Sequence, residues 1–245
     1  MHHGLLRSSL ACILPAGLTV GVIAQLCTLH LALEPAYVPK TVAVFAAGAA
    51  LVLIGLPRHH PFAVFGAANQ VTVARGVLVA LLAGLIGERS DTGAPLLAMT
   101  MATIVAVLDG VDGWLARRSR MTSAFGARFD METDAALILV LAVLAWLFGK
   151  AGLWVVACGV LRYAFVGAGM LLPWLRTALP PSGRRRAIAV VQMVALIIAL
   201  APVVPVALSA PVAAIGLAAL SLSFLLDIAW LFQNASQVRA SVSPQ

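Results

Sequence analysis

Long apolar runs separated by short polar connections organise this chain. Eight stretches, at about 9–31, 38–56, 71–88, 93–116, 130–149, 151–173, 187–206 and 209–232, approach the roughly 20 mainly apolar residues that a helix needs to cross a bilayer. The connections between them, such as Gly87-Glu88-Arg89-Ser90-Asp91, Gly149-Lys150 and Pro180-Pro181-Ser182-Gly183, hold residues that favour turns. This pattern predicts an all-α, polytopic transmembrane helical bundle without internal repeats. The segment from Pro57 to Asn69, with Arg58, His59, His60, Phe62 and Phe65, is mixed in polarity and too short to cross. It reads either as an interfacial juxtamembrane element or as a connecting loop.

Composition supports a bilayer setting. Of the 245 residues, 62% are hydrophobic and 10% charged, with a mean hydropathy of +1.03, which excludes an ordinary soluble domain. The net charge of +7 raises nucleic acid as a partner, but the placement of the cations argues against it. With the N-terminus inside, twelve of the 16 basic residues (Arg7, Arg58, Arg75, Arg117, Arg118, Arg120, Arg128, Arg176, Arg184, Arg185, Arg186 and Arg239) fall on the cytoplasmic side. Lys40, Arg89 and Lys150 fall outside, and Arg162 lies within a span. That asymmetry is the positive-inside bias of a multi-pass inner-membrane protein, and an anionic leaflet or phosphorylated substrates account for it without nucleic acid. Arg7 before an apolar run resembles a signal peptide, but the run is longer than a usual signal core, which favours an uncleaved helix. Cys12, Cys27 and Cys158 stand singly, with no disulfide or metal-ligand spacing.

The acidic residues are unevenly distributed. Five of the nine (Asp109, Asp112, Asp130, Glu132 and Asp134) fall within 26 residues, at the predicted cytoplasmic ends of two spans. A carboxylate at the centre of a membrane helix costs about 2.5–3.5 kcal/mol, so such residues are usually kept for ions, protons or substrates. At roughly 100° per residue, Asp109, Asp112, Gly113 and Ala116 share one arc, which Arg117 extends, while Gly126, Asp130 and Asp134 stack along one stripe of the next helix. Glu132 points elsewhere. Two antiparallel helices so marked present four carboxylates to one another, an arrangement that repels itself unless cations bind. Oxygen donors without His or Cys indicate a hard divalent ion, Mg²⁺ or Mn²⁺. The small residues Gly113, Ala116 and Gly126 either leave room for a flat ligand or serve close helix packing.

The run Asp109-Gly110-Val111-Asp112-Gly113-Trp114-Leu115-Ala116-Arg117, followed by Gly126, Asp130 and Asp134, resembles the signature of the CDP-alcohol phosphotransferases, D-x2-D-G-x2-A-R-x8-G-x3-D-x3-D. Asn69, Thr72 and Arg75 resemble the N-x-x-T-x-x-R element that often opens the family's first core helix. The resemblance implies a six-helix catalytic core over residues 69–232. Two additional transmembrane helices (1–57) and a juxtamembrane segment (58–68) would precede it, and a cytoplasmic tail (233–245) would follow. It also implies that Asp109, Asp112 and Asp130 bind two divalent ions, with Asp134 lining the site and acting as general base. Gly113, Ala116, Arg117 and Gly126, together with Asn69, Thr72 and Arg75, would hold a CDP-linked donor. A homodimer with active sites facing the cytoplasm is implied as well.

The expected reaction transfers a phosphatidyl group from a lipid donor, CDP-diacylglycerol, to a small alcohol acceptor with release of CMP, in phospholipid biosynthesis. The same signature permits CDP-choline or CDP-ethanolamine with a diacylglycerol acceptor. A cation transporter would also explain intramembrane carboxylates, but it predicts acids near the midplane of symmetric halves. Acceptor candidates are Arg162, Arg186 and Gln192. Arg162, inside a span, needs Asp227 or a substrate phosphate as partner. The Arg184-Arg185-Arg186 cluster either recognises an anionic acceptor or anchors its span. Phosphatidylglycerophosphate synthases carry G-K-x-K-T-x-x-Q in this region. With Gln192 aligned, only Arg186 offers a comparable cation, a departure that counts against glycerol phosphate as acceptor.

Overall fold

A computed structural model describes the backbone of residues 2–242 apart from 90, 92, 120, 178 and 181, and the side chains except at 2, 3, 57–59, 117, 119 and 235–242. The helices are α1 (His2–Leu31), α2 (Tyr37–His59), α3 (Ala67–Gly84), α4 (Ala94–Ser119), α5 (Ala124–Leu147), α6 (Ala157–Leu171), α7 (Gly183–Leu200) and α8 (Val206–Val242). Single turns of tighter helix, Leu153–Val156 and Pro173–Arg176, flank α6, and no strand occurs among the described residues. The chain is thus an all-α bundle, with helix ends that differ from the expected spans by up to ten residues, most at α8, which continues to Val242. Among the described residues, six helices are long and apolar enough to cross a membrane. The other two, α5 and α7, each carry three or more charges: Arg128, Asp130, Glu132 and Asp134 on one, Arg184, Arg185 and Arg186 on the other.

The bundle is built around α3, which packs against α1, α2, α4 and α5. Its membrane window is 56% buried, against 6% for α2, so α3 meets protein on most sides and α2 mainly lipid. Leu81, Leu82 and Leu85 from the α3 end, Leu137, Leu141 and Leu144 from α5 and Leu196 and Leu200 from α7 are fully buried in the common core. Between helices in lipid the gain comes from close packing and hydrogen bonds rather than from escape from water. Gly84 therefore lies against Tyr37, and Gly159 against the Leu139 backbone, too closely for a Cβ at either place. Outward faces stay apolar, with Leu18, Leu51 and Leu171 among the most exposed residues.

Polar contacts pin the two ends. At the end away from the aspartates, Glu88 takes Lys40 Nζ at 3.2 Å and the Glu34 amide at 2.9 Å, while the Tyr37 hydroxyl donates to Leu81 O at 3.0 Å. Lys150 Nζ donates to Ala201 O and Val204 O at 2.9 and 2.7 Å, in the connection between α7 and α8. At the opposite end, α2 continues to His59, and residues 60–66 form a bent connection rather than an interfacial helix. This connection is tied down by Phe65 N donating to Ser8 Oγ at 2.7 Å. Gly66, at φ 83°, turns the chain into α3 in a region that costs a residue with a Cβ.

Candidate active site

Three helices build the site. α3 brings Asn69, Thr72 and Arg75 to one face, α4 brings Asp109 and Asp112, and α5 brings Asp130 and Asp134. α5 starts on a defined cap: Ser123 Oγ accepts from Gly126 N at 2.9 Å. His60 Nε2 lies 2.9 Å from Val64 O, and its Nδ1 lies 3.2 Å from Ser123 Oγ. A carbonyl only accepts, so Nε2 carries the proton and Nδ1 accepts the Ser123 hydroxyl, which leaves the serine lone pairs for the helix cap. A Cβ on Gly126 would stand 3.0 Å from Asn69 Oδ1 and 3.2 Å from Ser123 Oγ, so its small size here serves the close approach of α3 and α5.

The four aspartates converge, but not by facing each other across a two-helix interface. α4 and α5 touch little, and α3 packs against both. Arg75, fully buried, stands among the carboxylates. Its guanidinium lies 2.8 Å from Asp109, 2.5 Å from Asp112 and 2.5 Å from Asp130, and it also pairs with Asp134. Thr72 Oγ1 adds a contact of 3.3 Å to Asp112 and one of 3.1 Å to Ala68 O, between which its single hydrogen is shared. Repulsion among the acids is therefore relieved by a cation of the chain itself. The family motif by itself places Arg75 with the donor-binding residues. The available signal was an arginine inside an apolar helix, which requires a partner at that depth.

Arg75 brings one guanidinium to four acidic side chains, so the acid groups outnumber the cation that pairs with them. Asp109, Asp112 and Asp130 each offer an oxygen, and these atoms lie within 4.8 Å of one another. Hard oxygen donors at this spacing could hold a metal ion.

The aspartates open onto a cavity of about 410 Å³, within the usual range for small-ligand sites. Gly110 and Gly113 line it without side chains, and Ile138, Ala189, Val190 and Met193 supply an apolar wall. Arg186 reaches the cavity from α7 and makes no hydrogen bond among the described residues. Its neighbours are engaged elsewhere. Arg184 pairs with Asp227 at 2.5 Å and reaches Ser223, while Arg185 reaches Asp227 at 3.3 Å and the Pro180 carbonyl.

Other expected site residues lie apart from the cavity. Arg162 pairs with Glu132 at 2.7 Å, so the Arg162–Asp227 pair, one of the two partnerships the sequence allows, does not form. α6 presents Arg162 to α5, and the α7 arginines occupy Asp227. Gln192 is completely buried beside Gly216 of α8, away from the cavity lining. Ala116 does not line the cavity, and the Arg117 side chain, like those of Arg58 and His59, lies outside the described residues.

The model of the family described as CDP-alcohol phosphatidyltransferase matches residues 65–229. The chain belongs to this family. No curated protein and no solved structure gives a significant match. The transferase is accordingly a multi-pass membrane enzyme that moves a phosphate-linked group from a CDP-alcohol. The match begins just before α3 and ends within α8, so α1 and α2 stand outside the part shared with the family.

Proposed function

We propose that the transferase moves a phosphatidyl group from CDP-diacylglycerol to the hydroxyl of a small alcohol, releasing CMP, in phospholipid synthesis at the cytoplasmic face of the inner membrane. The observation that carries this reading is the convergence of four aspartates on a cavity that Arg186 also lines. A pyrophosphate donor needs positive charge along its phosphates and room for a nucleotide beside them. Gly110 and Gly113 leave that room. Asp109, Asp112 and Asp130 would hold the divalent ions, which when bound neutralise pyrophosphate charge and favour departure of the leaving phosphate.

Asp134 is assigned as general base. It accepts the proton of the acceptor hydroxyl as that oxygen forms its bond to the phosphorus bearing the diacylglycerol. The phosphoanhydride bond to CMP breaks in line, and its electron pair leaves on the CMP phosphate. Arg75 holds Asp134 in place. Arg186, unoccupied by hydrogen bonds among the described residues, attracts an anionic portion of donor or acceptor. The apolar wall of Ile138, Val190 and Met193 suits a substrate that carries lipid. The family resemblance further supports a homodimer, which cross-linking in native membranes tests.

The deciding experiment incubates membranes holding the transferase with radiolabelled CDP-diacylglycerol, Mg²⁺ or Mn²⁺ and a panel of alcohols. CMP release that depends on one alcohol and disappears in Asp112→Ala is expected. Release with CDP-choline and diacylglycerol alone would overturn the donor assignment.

A further inference from the structure

A second cavity, of about 580 Å³, lies behind the site rather than in it. Its floor is the face of α3 that bears Gly76 and Ala80, and its sides are α2 around Gly48 and α5 from Phe125 to Ala136. α3 and α5 separate it from the aspartates, since Arg75, Asp130 and Asp134 line the other face of the same two helices. Its α2 wall comes from outside the family match at 65–229, so the groove is an addition to the shared core.

Length, polarity and charge define what fits. The groove is apolar except along one edge, where Arg128 and Glu132, about one and two turns in from Phe125 on α5, border it with Thr133 and Tyr163. From Phe125 to Ala136 it follows α5 for about 16 Å, close to half of the roughly 30 Å hydrocarbon core, that is, one leaflet. On that edge Glu132 is paired with Arg162 at 2.7 Å, whereas Arg128 is exposed and has no ion-pair partner among the described residues. The edge therefore carries one positive charge in excess. An apolar groove in a bilayer, open to the side, takes up acyl chain rather than water.

We infer that this groove binds one anionic phospholipid of the same leaflet, with its phosphate on Arg128 and an acyl chain between α2 and α5 over Gly76. This site is separate from the donor cavity and does not rest on the proposed reaction. It gives α1 and α2 a role as the outer wall that retains the lipid.

The test counts lipids on the purified, detergent-solubilised full chain by native mass spectrometry, with phosphatidylglycerol or phosphatidylcholine added back. Wild type is expected to keep one phosphatidylglycerol in preference to phosphatidylcholine. Arg128→Gln should weaken retention about tenfold, the scale of losing one charge-assisted contact. Gly76→Leu and Gly48→Leu should abolish it by filling the groove, because a Cβ at either glycine meets nothing within 4 Å. Thermal melting identifies any variant that misfolds, and Arg128→Gln, at an exposed position, keeps the test decisive. Equal retention by wild type, Arg128→Gln and Gly76→Leu would overturn the proposal. So would cross-linking of Gly48→Cys to the same position in a second copy, which would make the groove a protein interface.

Discussion

Replacing Arg75 by Gln is the most informative single change, because it removes the one cation that all four aspartates share. The pairs are not equivalent. Asp112 is only 5% exposed, whereas Asp109, Asp130 and Asp134 keep 30, 41 and 36% of their side-chain surface. Taking one partner from a buried ion pair costs about 3–5 kcal/mol, since the other charge is left uncompensated. Solvent-screened pairs lose only about 0–1 kcal/mol each. Asp112 therefore dominates, and Arg75→Gln should lower stability by about 3–5 kcal/mol in chelator, as read from unfolding of the detergent-solubilised protein. Magnesium should then restore more stability to the variant than to wild type, because the guanidinium no longer competes for the carboxylate oxygens. At a hundred times its dissociation constant, an ion bound only by the folded state returns about 2.7 kcal/mol. Two results would refute this reasoning: a variant within about 0.5 kcal/mol of wild type in chelator, or a destabilised variant whose unfolding ignores magnesium.

Three further changes probe separate parts of the site. Asp134→Asn should still bind donor, measured by equilibrium binding of labelled CDP-diacylglycerol, but should lose at least about a hundredfold in kcat, the lower range for a general base; full turnover would remove Asp134 from that role. Arg186→Gln should raise KM for the anionic substrate about tenfold with less effect on kcat, and added salt should weaken wild type more than the variant. Gly126→Val forces side-chain atoms onto Asn69 Oδ1 and Ser123 Oγ and should cost about 1–3 kcal/mol by overpacking, whereas an unchanged melting temperature would show that α3 and α5 separate freely there.

Much of this molecule was legible along the chain because its signals are local. Apolar runs of membrane-spanning length mark the helices, and the spacing of Asp109, Asp112, Asp130 and Asp134 places each pair on one helical face by geometry alone. The family signature is a local string for the same reason. The exclusion of Glu132 from the acidic stripe was legible too, and it pairs with Arg162 instead.

Which face meets which neighbour is a different matter, set by how eight helices pack at once. Nothing in the spacing of α4 and α5 says that α3 lies between them, so Arg75 as the common partner of the four aspartates emerged only from the tertiary structure. The same holds for Arg184 rather than Arg162 on Asp227, for Arg186 as the α7 arginine that lines the cavity, and for the groove that α2 closes against α5. The sequence by itself determined the helices, the membrane setting and the chemistry of the acids, since periodicity and hydrophobicity are properties of consecutive residues. The charge balance and the shape of the cavities were decided by the fold, since both depend on atoms from helices far apart in the chain that meet only when the bundle closes.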